Sequence, residues 1–130
     1  MMRKSKVKRA ESREDIVYRY FRLISDRDLE GLLDLFDDDA IIYEPFSTSQ
    51  VLHGRSSIEP FLKVALMANS DMRRKIKISK EAEPGQPDDR LTALVTFEKG
   101  DKTKARFTFG LEPDEQRGWK IKTLHIKFVR

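Results

Sequence analysis

The chain has 130 residues, 38% of them hydrophobic and 37% charged, which fits one domain and excludes most two-domain architectures. Zero cysteines exclude a disulfide framework, thiolate zinc sites, iron–sulfur ligation and a cysteine nucleophile. The net charge of +4 is concentrated: Arg3, Lys4, Lys6, Lys8 and Arg9 put +5 on the first ten residues, and the remainder carries −1.

Residues 1–11 hold too little apolar surface to offset the entropy of ordering, so they read as a mobile basic arm, and 12–130 as a single domain. No apolar run approaches the ~20 residues that cross a bilayer, and no hydrophobic stretch follows the basic start as in a secretory leader. A soluble cytoplasmic protein without a membrane partner is expected. Ile16, Val17, Tyr20, Phe21 and Ile24 recur at helical spacing and predict an amphipathic helix over roughly 12–25. Asp28 is placed to cap a second helix burying Leu29, Leu32, Leu33 and Phe36. The run Asp37–Asp39 opposes the helix dipole and ends that helix, and Ala40–Tyr43 reads as a short strand stopped at Glu44-Pro45. A polar loop, FSTSQVLHG, leads to Gly54. Ser56 and Glu59 stand at capping-box spacing before a third helix, with Ser57 as the cap that would put Pro60 at a position where no donor is missed.

The second half alternates with period two. Met72–Lys80 places Arg74, Ile76 and Ile78 on one face and Arg73, Lys75 and Lys77 on the other. EPGQPDD at 83–89 is a turn by composition, and Leu91–Glu98 and Lys102–Leu111 pair as a hairpin through Lys99-Gly100-Asp101. After a turn at Gln116-Arg117-Gly118, the apolar phase of Trp119–Val129 slips between Ile121 and Leu124. The slip predicts a bulge near Thr123 or a strand covered on both faces. The order α-α-β-α-β-β-β-β gives an α+β fold with helices on one face of a curved sheet.

The run IVYRYFRLISDRDLEGLLDLFDDDAIIYEP at 16–45, followed by HGRSSIEPFL at 53–62, resembles the nuclear-transport-factor-2-like superfamily, nearest its ketosteroid isomerases and SnoaL-type polyketide cyclases. The carrying elements are Asp28-Leu29-Glu30-Gly31, Leu35-Phe36 with Asp38-Asp39-Ala40, Gly54-Arg55, Ile58 and Phe61. The resemblance implies a cone: a mixed sheet wrapped around three helices, enclosing a pocket for a compact apolar or polycyclic molecule. It also implies a homodimer through the outer sheet face, and it implies no cofactor or metal. The fold hosts enzymes and non-enzymes alike, so it does not by itself give an activity.

By register against that family, Glu44 falls on the position of the carboxylate that moves a proton, and Tyr20 on that of the tyrosine that donates to the oxyanion. An apolar pocket raises a carboxylate from about 4.3 toward neutrality, where it can take and return a proton. A neutral tyrosine hydroxyl in a dry site stabilises an enolate oxygen. The second oxyanion donor of ketosteroid isomerases falls on Phe107, which has none to give. Tyr43, Phe46, His53, Phe61, Phe107, Phe109, Trp119 and His125 are the expected pocket lining. Two histidines without cysteine offer no metal-ligand pattern.

Arg73, Lys75, Lys77, Lys102, Lys104, Arg106, Lys120 and Lys122 alternate along three strands and predict a basic outer sheet face. That face lacks interleaved exposed aromatics, so nucleic acid is not the expected partner. Two functions stand side by side at this point: a pocket domain with acid–base chemistry through Glu44 and Tyr20, and a non-catalytic dimerisation or interaction module whose pocket is filled by its own side chains.

Overall fold

In a computed structural model, described here over residues 12–43, 51–68, 73–79, 90–99, 101–115 and 118–129, three helices cover one face of a six-stranded sheet. The elements are α1 (Arg13–Asp26), α2 (Leu29–Leu35), β1 (Phe36–Tyr43), β2 (Val51–His53), α3 (Arg55–Ala68), β3 (Arg73–Ser79), β4 (Arg90–Lys99), β5 (Asp101–Asp114) and β6 (Gly118–Val129). The strand order is β2-β1-β6-β5-β4-β3, so β2 and β3 are edges and the sheet does not close. Only β1 and β6 run parallel; the other neighbours are antiparallel. The expected α+β architecture is present. The basic arm, Glu44 to Gln50, the 83–89 turn, Gly100 and the Gln116-Arg117 pair lie outside the described residues.

Local chemistry sets the helix ends. Ser12 caps α1 through a reciprocal box: its Oγ accepts from the Asp15 amide and the Asp15 carboxylate accepts from the Ser12 amide, both at 3.1 Å. Arg27 ends α1 in the left-handed conformation at φ 57°, donating to the Ile24 carbonyl, while the Asp28 amide donates to that of Leu23. Asp28 caps α2 as expected, accepting from the Gly31 amide at 2.9 Å. A Cβ at Gly31 would lie 2.6 Å from that carboxylate, which is a physical reason for glycine here.

Three boundaries differ from the expectation. Phe36 leaves the helix for β1, where it pairs with Ile121; its ring is still fully buried, so the core gains the same side chain while the backbone joins the sheet. The end of the expected FSTSQVLHG loop is a strand, Val51–His53, paired with Ile41–Tyr43. The third helix starts at Arg55 rather than after Ser57: the Ser57 and Ile58 amides donate to the Gly54 carbonyl at 3.1 and 3.0 Å. Pro60 therefore sits inside α3, where it offers no amide to the Ser56 carbonyl. Arg55 ties this start to the end of α2, donating to the Leu33 carbonyl at 3.0 Å and facing Asp38 at 3.6 Å.

The predicted slip in β6 is a bulge. Gly110 pairs with Thr123 and Leu111 with Ile121, so Lys122 is the extra residue. On the other side, β1 advances from Phe36 to Ile41 while β6 advances only from Ile121 to Thr123. The three aspartates occupy this irregularity. Asp37 accepts from the Asp39 amide at 3.1 Å and from Lys122 Nζ at 3.2 Å. The backbone amide of Asp39, then Lys122, hold the Asp37 carboxyl below its ordinary value.

On the inner face, Ile16, Val17, Ile24, Leu32, Leu35, Ile58 and Leu62 from the helices meet Ala93, Val95, Ala105, Phe109, Leu111, Ile121 and Leu124 from the sheet. Each large side chain removed from water contributes roughly 1.5–3 kcal/mol.

Two predictions test the paired irregularity. A Cβ at Gly110 would run into Thr123 Oγ1, so Gly110→Ala is expected to cost about 1–3 kcal/mol in urea unfolding, and Thr123→Ala to restore most of that loss. Because the Asp37 carboxyl titrates below its ordinary 3.8, its stabilisation is present above that pH and fades as pH falls through the lower folded value. Asp37→Asn should therefore be less stable than wild type at pH 6, with the gap closing below about pH 4 in pH-resolved thermal unfolding.

Candidate functional site

Tyr20 lies in the middle of the buried stripe of α1, only 2% exposed. Four phenylalanine rings surround it: Phe21 at 5.0 Å, Phe109 at 5.4 Å, and Phe36 and Phe107 at 6.3 Å each. The contacts to Phe21, Phe36 and Phe109 are edge-on, the favoured arrangement for aromatic pairs. Phe107 and Phe109 come from alternate, inward positions of β5 and stack at 6.3 Å, while Phe36 enters from β1. Three segments distant in sequence thus converge on one hydroxyl-bearing ring.

No described residue forms a hydrogen bond with the Tyr20 hydroxyl. Burial pushes its pKa far above the ordinary 10, with the positive charge of Arg74 opposing weakly. The group is therefore a neutral donor at all physiological pH values. Arg74 belongs to the inner face of β3 and donates to Ser25 Oγ at the end of α1. Sequence reasoning singled out Tyr20 but not Arg74. The available signal was an arginine in the same phase as Ile76 and Ile78, a charge on the apolar side of an alternating strand.

The expected site residues divide into three groups. Tyr20, Phe107 and Phe109 are brought together in the core. Phe61 and Trp119 are half-buried against it, and Trp119 lies beneath the Arg13 guanidinium at 5.6 Å. Tyr43, His53 and His125 lie on the opposite, outer face, contrary to their expected place in the pocket. The reason is strand parity: Ile42, Leu124 and Ile126 point inward, so Tyr43 and His125 between them point out. His53 pairs with the outward-phase Ile41. Tyr43 and His125 stack on that face at 4.3 Å between centroids. Partial burial, then Lys127 and Arg90, lower the His125 pKa below 6.5, so the ring is neutral at pH 7. Glu44 and Phe46 lie outside the described residues.

The outer face is basic as expected over part of its width. Arg73, Lys75, Lys77, Lys104 and Arg106 are exposed there, joined by Lys127, which pairs directly with Arg106. Lys120 and Lys122 are half-buried, and Lys122 is committed to Asp37.

Several solved structures share this fold. The chain is 21% identical to the epoxide hydrolase/cyclase-like enzyme SalBIII of pyran ring formation in the polyether salinomycin, with a TM-score of 0.68 over 90% of both chains. An NTF2-like protein of unknown function from Cytophaga hutchinsonii is 15% identical, with a TM-score of 0.64 over 95% of both chains. A second NTF2-like protein of unknown function, from Pseudomonas putida, is 15% identical, with a TM-score of 0.66 over 88% of this chain and 82% of that one. The protein therefore shares the cone fold of these NTF2-like structures, as its N-terminal motifs implied. No protein-family profile and no curated protein matches the sequence. Among the described residues, no helix is long and apolar enough to cross a membrane.

A Tyr20 hydroxyl without a hydrogen-bond partner among the described residues generates a prediction about stability. Tyr20→Phe keeps the ring contacts and removes a buried polar group, so it should raise stability by about 1 kcal/mol at neutral pH. Above about pH 10 the unfolded tyrosine ionises and the folded one does not, so wild type loses stability there that the variant retains. Chemical denaturation of both proteins at pH 7 and pH 10.5 reads both effects.

Proposed function

We propose that this protein is a small-molecule domain that binds a compact apolar ligand in the cone and moves a proton on it, with Tyr20 as neutral hydrogen-bond donor and Glu44 as base. One observation carries this reading. A tyrosine hydroxyl sits in a phenylalanine-lined interior without a hydrogen-bond partner among the described residues, a costly arrangement that a ligand oxygen would relieve. Phe36, Ala40 and Ile42 are the buried positions of β1, and Glu44 shares their parity in sequence. The similarity to a cyclase-like enzyme is consistent with such chemistry.

Phe107 narrows the reaction. Its ring stands beside Tyr20 where a ketosteroid isomerase would supply a second donor, so one hydrogen bond rather than two faces the developing charge. Loss of one such donor typically costs about 3–4 kcal/mol of transition-state stabilisation. The reading is thus proton transfer on an activated carbonyl compound rather than steroid isomerisation as such. We further propose a homodimer through the outer face near Tyr43 and His125, a stacked pair bordered by Lys127 and Arg90.

The four rings around Tyr20 also favour a second reading, a non-catalytic interaction module whose interior is filled by its own side chains. Native mass spectrometry for a co-purified ligand, followed by deuterium exchange into cyclic enones, separates the two. Under the first reading Glu44→Gln lowers the exchange rate at least ~100-fold and Tyr20→Phe by a similar factor, both variants remaining folded. Equal rates in wild type and Glu44→Gln would remove the base and leave the module.

A further inference from the structure

A second site is built where α1 meets the edge strand β3. Tyr18, Arg22 and Ser25 fall at i, i+4 and i+7 along α1, so they form one stripe on the helix side, with Phe21 beside them. Arg74 and Ile76 are successive inward residues of β3. Together these six side chains line an open groove of about 280 Å³.

The groove combines an apolar base with two cationic groups. Phe21 and Ile76 are packed on or in the core and give an apolar base, while Tyr18, half exposed, stands at its margin. Two guanidinium groups, Arg22 and Arg74, face the same space, and no carboxylate of the described residues lies within ion-pairing distance of either. Arg74 spends one donor on Ser25 Oγ, and a guanidinium has five. Partial burial lowers the Arg74 pKa by stripping part of its water, and among the described residues no carboxylate takes that water's place. A cation in that condition is destabilising until an anion arrives.

We propose that this groove binds a compact apolar carboxylate, with the carboxylate held between Arg74 and Arg22 and the hydrocarbon or ring against Phe21 and Ile76. A planar carboxylate matches the fork of a guanidinium with two parallel hydrogen bonds. The volume is ample for a single-ring acid. The site adjoins the Tyr20 interior, and the Arg74 charge reaches the Tyr20 hydroxyl. Phe21 is the shared wall, its ring 5.1 Å from Phe107 on the inner side. The inference does not rest on the proton-transfer reading, and it stands or falls independently of it.

The test uses the whole chain, with sodium benzoate as the acid, benzamide as its neutral isostere and phenyl phosphate as a different anion. In two-dimensional NMR titrations, benzoate should saturably shift the amides of Tyr18, Arg22, Ser25 and Ile76, with a Kd near ~1 mM as suits a ligand of this size. Benzamide should bind at least tenfold more weakly. Arg74→Met and Arg22→Met should each weaken benzoate about tenfold, and Arg74→Lys should fall between wild type and Arg74→Met. Arg22 is on the helix surface, so its variant preserves a folded test case should Arg74→Met unfold. Equal binding of benzoate and benzamide, undiminished binding in the variants, or shifts centred on Phe109 and Leu111 would each overturn the site. Phenyl phosphate binding tenfold tighter than benzoate would overturn the carboxylate assignment.

Discussion

Ile121 and Leu124 both point into the core, although three positions separate them and a pleated strand would send them to opposite faces. The extra residue at Lys122 reconciles the two, and much of the architecture depends on it. Before the bulge, β6 pairs its Ile121 with Phe36 and Leu111; after it, Leu124 pairs with Ile42 and Phe109. Bulges increase strand twist and bend, so the same insertion that corrects the side-chain phase also helps curve the sheet around the helices. The displaced Lys122 is held by Asp37, and the close approach of Thr123 to Gly110 fits the partner strand to the irregularity. The acidic run that opposes helix continuation thus has a second role in the tertiary structure, as the partner of a bulge across the sheet.

Curvature explains why the interior is aromatic. A bent sheet with helices on its concave side leaves a space near α1 that large, flat side chains fill well, and Tyr20, Phe21, Phe36, Phe107 and Phe109 converge there. Four of the five are purely hydrophobic. The fifth, Tyr20, carries a hydroxyl with no hydrogen-bond partner among the described residues.

The surface charge is organised by the same strand parity. Basic residues of β3 point outward from an exposed edge, and such charges discourage strand-to-strand association with other chains. Arg106 and Lys127 are directly opposed on β5 and β6, a mildly unfavourable pair that solvent screens. The Tyr43–His125 stack, several residues along the same face, carries no like-charge pair of that kind. The outer face is therefore basic on β3, on β5 and at the end of β6.

By itself the sequence determined the element types, the apolar stripe of α1, the Asp28 cap, the slip in β6 and, through its N-terminal motifs, the cone. Each of these is local or periodic, so neighbours in sequence suffice to specify it. The outward parity of His125 was legible too, since Leu124 and Ile126 flank it. Other features were decided only by tertiary structure, because they join residues that sequence spacing does not relate. Phe36 left its helix because β6 offered a parallel partner. Arg74 and Ser25 met across 49 positions because the edge strand packs beside the end of α1. Tyr20 was recognisable as a core residue from its stripe, but the lack of a described partner for its hydroxyl depends on which side chains three other segments bring to it.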